Sequence, residues 1–263
     1  PIVMNFPTRV RARVLNGTTW SAIIEATFYP AQDFSKLIFT EINYNPPGVG
    51  ATSGDEFEFV ELKNSGPEKI DLGGLSFTSG IPFTFTNGTR LNPGQFFVLG
   101  RNPTNLSARY PGLLVNGIYT GRLDNGGERL TISHPLGTEV TAADYKDSGR
   151  WPLTPDGLGY SLVAKDPNAN PEPSNPSGWR ASTNPFGSPG ADDPAPIIPG
   201  ILVNEALTHT DPPLIDAIEL YNPTAAGVNV GGWFLTDDGQ YPWKFRIPDG
   251  TTIPANGYLV FTA

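Results

Sequence analysis

One stretch constrains this chain more than any other, because its pattern occurs twice. Residues 55–74 (DEFEFVELKNSGPEKIDLGG) hold an apolar run with Phe57, Phe59, Val60 and Leu62, a polar turn at Lys63-Asn64-Ser65-Gly66, and a short second run closed by Gly73-Gly74. The same order of chemistry returns over residues 216–233 (DAIELYNPTAAGVNVGGW). Glu61-Leu62-Lys63-Asn64 is matched by Glu219-Leu220-Tyr221-Asn222, and Gly73-Gly74-Leu75 by Gly231-Gly232-Trp233. A short apolar strand with a glutamate precedes each copy, Glu41 within 38–42 and Glu205 within 202–206. An apolar strand behind a proline turn follows each, over 91–98 and 253–260. A unit repeated at this length is a domain, so the chain reads as a string of β modules.

Composition supports that reading. The 30 glycines and 28 prolines fall between short apolar runs, as they do in turn-rich sandwiches. No stretch sustains a helical period beyond a couple of turns, so very little helix is expected. With no cysteine, disulfides, thiolate metal sites and thiol catalysis are excluded together. The net charge of −9 leaves an acidic surface that repels phosphate backbones, which argues against nucleic acid as a partner. No apolar run approaches the roughly 18 residues of a membrane span. The chain opens at Pro1 with neither an initiator methionine nor a signal-like segment, and is expected to be an excerpt of a longer protein.

Residues 9–15 alternate arginine with Val10, Ala12 and Val14, which predicts a strand with the apolar residues inward. Asn16-Gly17 offers the positive φ angles of a tight hairpin turn, and 20–28 forms the returning strand. This hairpin over residues 1–30 resembles the end of a fibronectin-like module of the chitobiase C-terminal type; a hairpin of the first sandwich is the alternative. The Glu41 strand, 57–64, 70–75, the series Leu123-Asp124-Asn125-Gly126-Gly127-Glu128-Arg129-Leu130, Trp151, 156–162 and Gly187-Ser188-Pro189-Gly190 together resemble the lamin tail domain. That resemblance implies an all-β, immunoglobulin-like sandwich over 37–190. A Pro-rich linker follows over 191–200, and a second, incomplete copy over 201–263. Because the second copy stops at the counterpart of 96–99, the native chain is expected to continue. Pro103 and Leu106, with an Asn or Thr cap nearby, mark the one helix, at 103–110. Residues 81–85 are read as a hairpin strand turning at Asn87-Gly88, and 129–133 with 138–143 as a strand pair.

The candidate chemistry is sparse. His134 and His209 are the only histidines, and Ser133 beside His134 is a poor geometry for a triad, so no enzyme is expected. Glu41, Glu61, Glu205 and Glu219 lie within strands. Period two puts Glu61 on one face with Phe59, opposite Val60 and Leu62, so either both faces are covered or a bulge near 59–60 changes the parity. Carboxylates so placed are read as structural, hydrogen-bonded to backbone amides or an arginine. No metal is expected. Calcium is the alternative, since hard oxygen clusters suit it, with Asp237-Asp238-Gly239 and Asp55-Glu56 as supplements. Trp233, Tyr241 and Trp243 are the candidates for a ligand-binding, sugar-stacking face, against the reading that they fill a core.

The resemblance implies a non-catalytic interaction, attachment or spacer module of a larger secreted or cell-surface bacterial protein. Its expected partners are a protein or cell-surface component and the adjacent domains of its own chain. A carbohydrate- or calcium-binding accessory module of an extracellular enzyme is the alternative.

Overall fold

Continuous apolar runs in this chain become strands buried on both faces. In the computed structural model, which describes residues 4, 7–170, 172–238, 241 and 243–262, every residue of Leu37–Asn43 and of Phe59–Asn64 is buried. The chain divides into two units, Pro1–Pro194 and Ala195–Ala263.

The first unit is an all-β, immunoglobulin-like sandwich. One sheet has six strands in the order Gly117–Ile118, Phe96–Gly100, Phe59–Asn64, Leu37–Asn43, Leu162–Ala164 and Trp179–Ala181. It is antiparallel apart from the parallel edge pair of Phe96–Gly100 with Gly117–Ile118. The other sheet orders Glu139–Asp144, Arg129–Ser133 and Ser76–Ser79. Phe39, Leu62, Phe77, Phe97, Leu130, Ile132 and Trp179 meet in a shared core, where they leave water together. The long segment before 190 is held by two buried tryptophans, Trp151 and Trp179, with ring centroids 6.4 Å apart. The outer face of the six-stranded sheet is closed by the single α-helix among the described residues, Pro103–Arg109, which seats Leu106 against Phe59 and Val98. Asn102 caps it by accepting bonds from the amides of Thr104 (3.1 Å) and Asn105 (3.2 Å).

Both sheet faces at Glu61 are covered, the first of the two alternatives, and the parity of its own strand is unbroken. Phe59–Asn64 runs regularly, while Leu37–Asn43 shifts register between Phe39 and Glu41, so that Glu41 comes directly opposite Glu61. The second unit repeats this device: Leu202–Leu207 shifts between Val203 and Glu205, and Glu205 comes opposite Glu219. Its main sheet has three strands, Leu202–Leu207, Ala217–Tyr221 and Tyr258–Thr262, and two strand pairs, Val228–Asn229 with Thr252–Ile253 and Phe234–Leu235 with Phe245–Arg246, complete a small core of Leu220, Val228, Val230, Ile247 and Ile253.

Several local expectations are corrected. The N-terminal hairpin pairs Thr8–Ala12 with Ile24–Phe28, but Val10 and Val14 are exposed rather than inward, because among the described residues no layer covers either face. Its tip turns at Gly17-Thr18, since Asn16 is already paired with Thr19. Of the hairpin strand expected at 81–85, residues 83–85 pair with 75–77, but the chain reverses at Gly80 rather than at Asn87-Gly88. The stiff linker also begins later than composition suggests: Asp192 bonds Lys63 (2.7 Å) and Asp193 bonds Arg180 (2.6 Å), which fasten 192–193 to the first unit.

Candidate functional site

The two copies place the same groups on the same sheet face, and they differ in what lies above it. In the first unit Glu41 and Glu61 sit opposite each other, each 1% exposed. Glu61 Oε1 accepts from the hydroxyl of Thr40, the bulge residue, at 2.7 Å, and its other oxygen accepts from the amide of Gly190. Glu41 accepts from the hydroxyl of Ser161 and from the amide of Ser188 at 3.1 Å. The carboxylates therefore hold down a strap, residues 187–193. Gly187 lies in it at φ +91°, where a Cβ would fall 1.8 Å from Glu41 Oε1.

Burial, and next the charge of Glu61, hold the Glu41 carboxyl well above the usual range. Burial likewise lifts Glu61 to about 8. The space that remains, lined by Thr40, Glu41, Glu61, Asp192 and Asp193 among others, is about 10 Å³. That is about the room of a single water.

In the second unit Asn204 takes the place of Thr40: its Nδ2 donates to Glu219 Oε1 at 2.7 Å. Asn222 repeats Asn64 as well. Each side-chain amide bridges the turn after its strand to a later carbonyl, Asn64 to Glu68 O and Leu91 O, Asn222 to Ala226 O and Ile253 O. Yet Glu205 is exposed and Glu219 half-buried, and the bond from Asn204 replaces the backbone amide or arginine expected for Glu219. Tyr221 and Tyr258 stack on this open face with ring centroids 4.6 Å apart.

The aromatic candidates occupy three different settings. Trp233 packs on the small core, Trp243 meets Phe234 edge-on at 5.0 Å, and Tyr241 is exposed. The groove of about 280 Å³ in this unit is lined instead by Leu207, Ile218, Leu235, Phe245 and Phe261 with the Asp237–Lys244 pair at its rim. Gly239, the last residue of the Asp237-Asp238-Gly239 run, and Pro242, between Tyr241 and Trp243, lie outside the described residues. Asp55 faces Arg101 (3.2 Å). Among the described residues no three of His, Asp and Glu gather to hold a metal, and no helix is long and apolar enough to cross a membrane. His134 Nδ1 accepts from the amide of Leu136 in its own turn, while the hydroxyl of Ser133 is paired with that of Thr78 at 2.8 Å.

Sequence reasoning missed Glu58. It is fully buried and accepts from the Tyr119 hydroxyl (3.1 Å) and the Leu123 amide (2.9 Å), and burial lifts it to about 7. The signal was its place in an apolar run, where alternation puts it on the face of Val60 and Leu62. The Tyr221–Tyr258 stack was also missed, because the two tyrosines meet only through strand register.

The family model of the Lamin Tail Domain matches residues 30–147. That match ends before Trp151 and the strap, which the sequence reading placed in the same domain. A crystal structure of a DUF4876 family protein from Bacteroides thetaiotaomicron aligns with 66% of this chain and 74% of its own, at 11% identity and a TM-score of 0.35. That likeness is too low to carry an argument. No curated protein matches.

Proposed function

With residues 30–147 matched to the lamin tail domain, we propose that this chain is a non-catalytic module that attaches or spaces parts of a larger secreted or cell-surface bacterial protein and contacts a protein component there. The match makes it a domain module; the location and the partner are our reading, because fold alone assigns neither. The observation that carries it is where the polar and apolar groups are spent. Glu41, Glu58 and Glu61 each bind the chain's own hydroxyls and amides, and the space between Glu41 and Glu61 is about 10 Å³. Apolar side chains, in contrast, stand exposed in two places: Val14, Trp20 and Ile24 on the N-terminal hairpin, and Leu202, Val203, Tyr258 and Val260 on the second unit. Such surfaces suit contact with other polypeptide.

The stacked Tyr221–Tyr258 pair on an open face favours a second reading, a carbohydrate-binding accessory module. Cells of the source organism separate the two. Labelled chain is expected to bind intact cells, to lose binding when the surface is treated with protease, and to keep it in the presence of free oligosaccharides. Protease-resistant binding that competes with sugar would replace the first reading by the second.

A further inference from the structure

The strap over residues 187–193 covers two carboxyls that cannot both be charged at little cost while it stays down. Glu41 and Glu61 come directly opposite each other, and the bonds they accept come from neutral groups: Ser161 and Ser188 for Glu41, Thr40 and Gly190 for Glu61. The cations nearby are committed elsewhere. Lys63 Nζ lies 2.7 Å and 2.8 Å from the two carboxylate oxygens of Asp192, and Arg180 holds Asp193 at 2.6 Å. Asp192 and Asp193, at the strap's own end, add negative charge beside the pair, and the Tyr110 hydroxyl at the end of the helix also faces Glu41. Two carboxyls that share about 10 Å³ with no cation of their own hold on to protons, because their charged forms lack both water and a counter-ion. Burial outweighs the hydroxyls and amides, which favour the charged form. The strap lies between this pair and water, and Gly190 and Ala191 in it are already exposed. It contains no strand, and the shared core lies on the other face of the sheet with Val60 and Leu62, so the strap can leave without opening that core. Its inner end is built as a hinge. Phe186 sits at φ +67° and Gly187 at φ +91°, and the left-handed conformation of Phe186 is one that a freed strap need not keep.

We propose that the strap is a pH-operated latch: as pH rises and the Glu41–Glu61 pair ionises, residues 187–193 lift from the sheet, water reaches both carboxylates, and the freed residues join the chain that leads to the second unit. The proposal rests on the reading of the chain as a spacer, and it names how the span is regulated. Each freed residue adds up to about 3.3–3.6 Å of reach. The sign follows from the protons. The closed strap keeps them to higher pH than the open one, so closure is fully stable below the ordinary carboxyl value of 4.5 and weakens as pH rises towards about 8. The corresponding pair in the second unit serves as the control, since Glu205 is exposed and Glu219 half-buried.

Hydrogen exchange of the full chain, followed by NMR and divided by the intrinsic rate of each amide, tests the latch. Protection at Ser188 and Gly190 is expected to fall at least about tenfold per pH unit between about pH 5 and 8, one factor of ten for each proton released on opening. Amides within Phe59–Asn64 should keep their protection over the same range. Glu61→Gln should take about a factor of ten per pH unit from the slope at the strap, and Glu41→Gln combined with it should leave that slope flat. Glutamine keeps an oxygen that accepts from the strap, so these variants retain the closed form. Glu219→Gln should change nothing at Ser188 and Gly190. Protection that does not vary with pH in the unsubstituted chain overturns the proposal. So does loss at Phe59–Asn64 in step with the strap, which would make the event an unfolding of the whole unit, and so does a slope that the double variant retains. Protease-sensitive attachment to cells by a chain whose strap ignores pH removes the latch alone. A working latch in a chain that does not attach leaves the latch standing and removes the broader reading.

Discussion

Glu41, Glu58 and Glu61 give the first unit a pH dependence of definite sign. Burial lifts Glu61 to about 8 and Glu58 to about 7, against an ordinary value of 4.5. The folded chain therefore keeps these protons to higher pH than the unfolded chain does. The stability they contribute is fully present below about pH 4.5 and is lost as pH rises towards 8. The melting temperature should fall steadily between those limits, and Glu61→Gln should flatten the decline; a melting temperature that rises with pH across this window would refute the assignment. Glu61→Ala should cost about 1–3 kcal/mol in chemical denaturation, because the Thr40 hydroxyl and the Gly190 amide lose their acceptor. Gly187→Ala adds a left-handed backbone penalty to a collision with Glu41. About 3 kcal/mol of lost stability is expected, read by the same denaturation, and a loss below 1 kcal/mol would mean that the strap does not press on the carboxylate.

At the scale of elements, the helix Pro103–Arg109 carries its own specification, with proline at its start and Asn102 before it. Asn102→Ala should cost about 1 kcal/mol and raise hydrogen exchange at Thr104 and Asn105 first, because their amides lose the cap. The helix was legible because capping is a local matter. So were the paired strands of the repeat, whose apolar runs and Asn64 turns recur in order. The bulge beside Glu41 was not legible, because it lies on Leu37–Asn43 and shows only when the two strands are set in register. The exposure of Val10 was misread for a related reason: alternation tells which residues share a face, and only a second layer decides whether that face is buried. The carboxylates were found from sequence, but their partners at 161, 188 and 190 lie more than a hundred residues away, beyond the reach of any spacing rule.

Over the whole molecule, two units of unequal core predict two unfolding steps. Among its described residues the second unit buries five apolar side chains between one three-stranded and two two-stranded sheets, and small cores yield marginal stability. Calorimetry should resolve a lower transition, with amide protection lost at Leu202–Leu207 and Ala217–Tyr221 before Phe59–Asn64. One transition with simultaneous loss in both strand sets would show that the units unfold together. The clamp at 187–193 carries a different consequence, a mechanical one. Tension applied to the first unit through residues beyond 194 reaches Asp193–Arg180 and Asp192–Lys63 first, then the amides of Gly190 and Ser188, before it loads any strand of the sheet. A pulling trace should open with a short low-force step as the strap peels away, and the sheet should bear load only afterwards. The strap thus acts as a fuse in series with the sandwich, and Gly187→Ala should lower the force at which it yields.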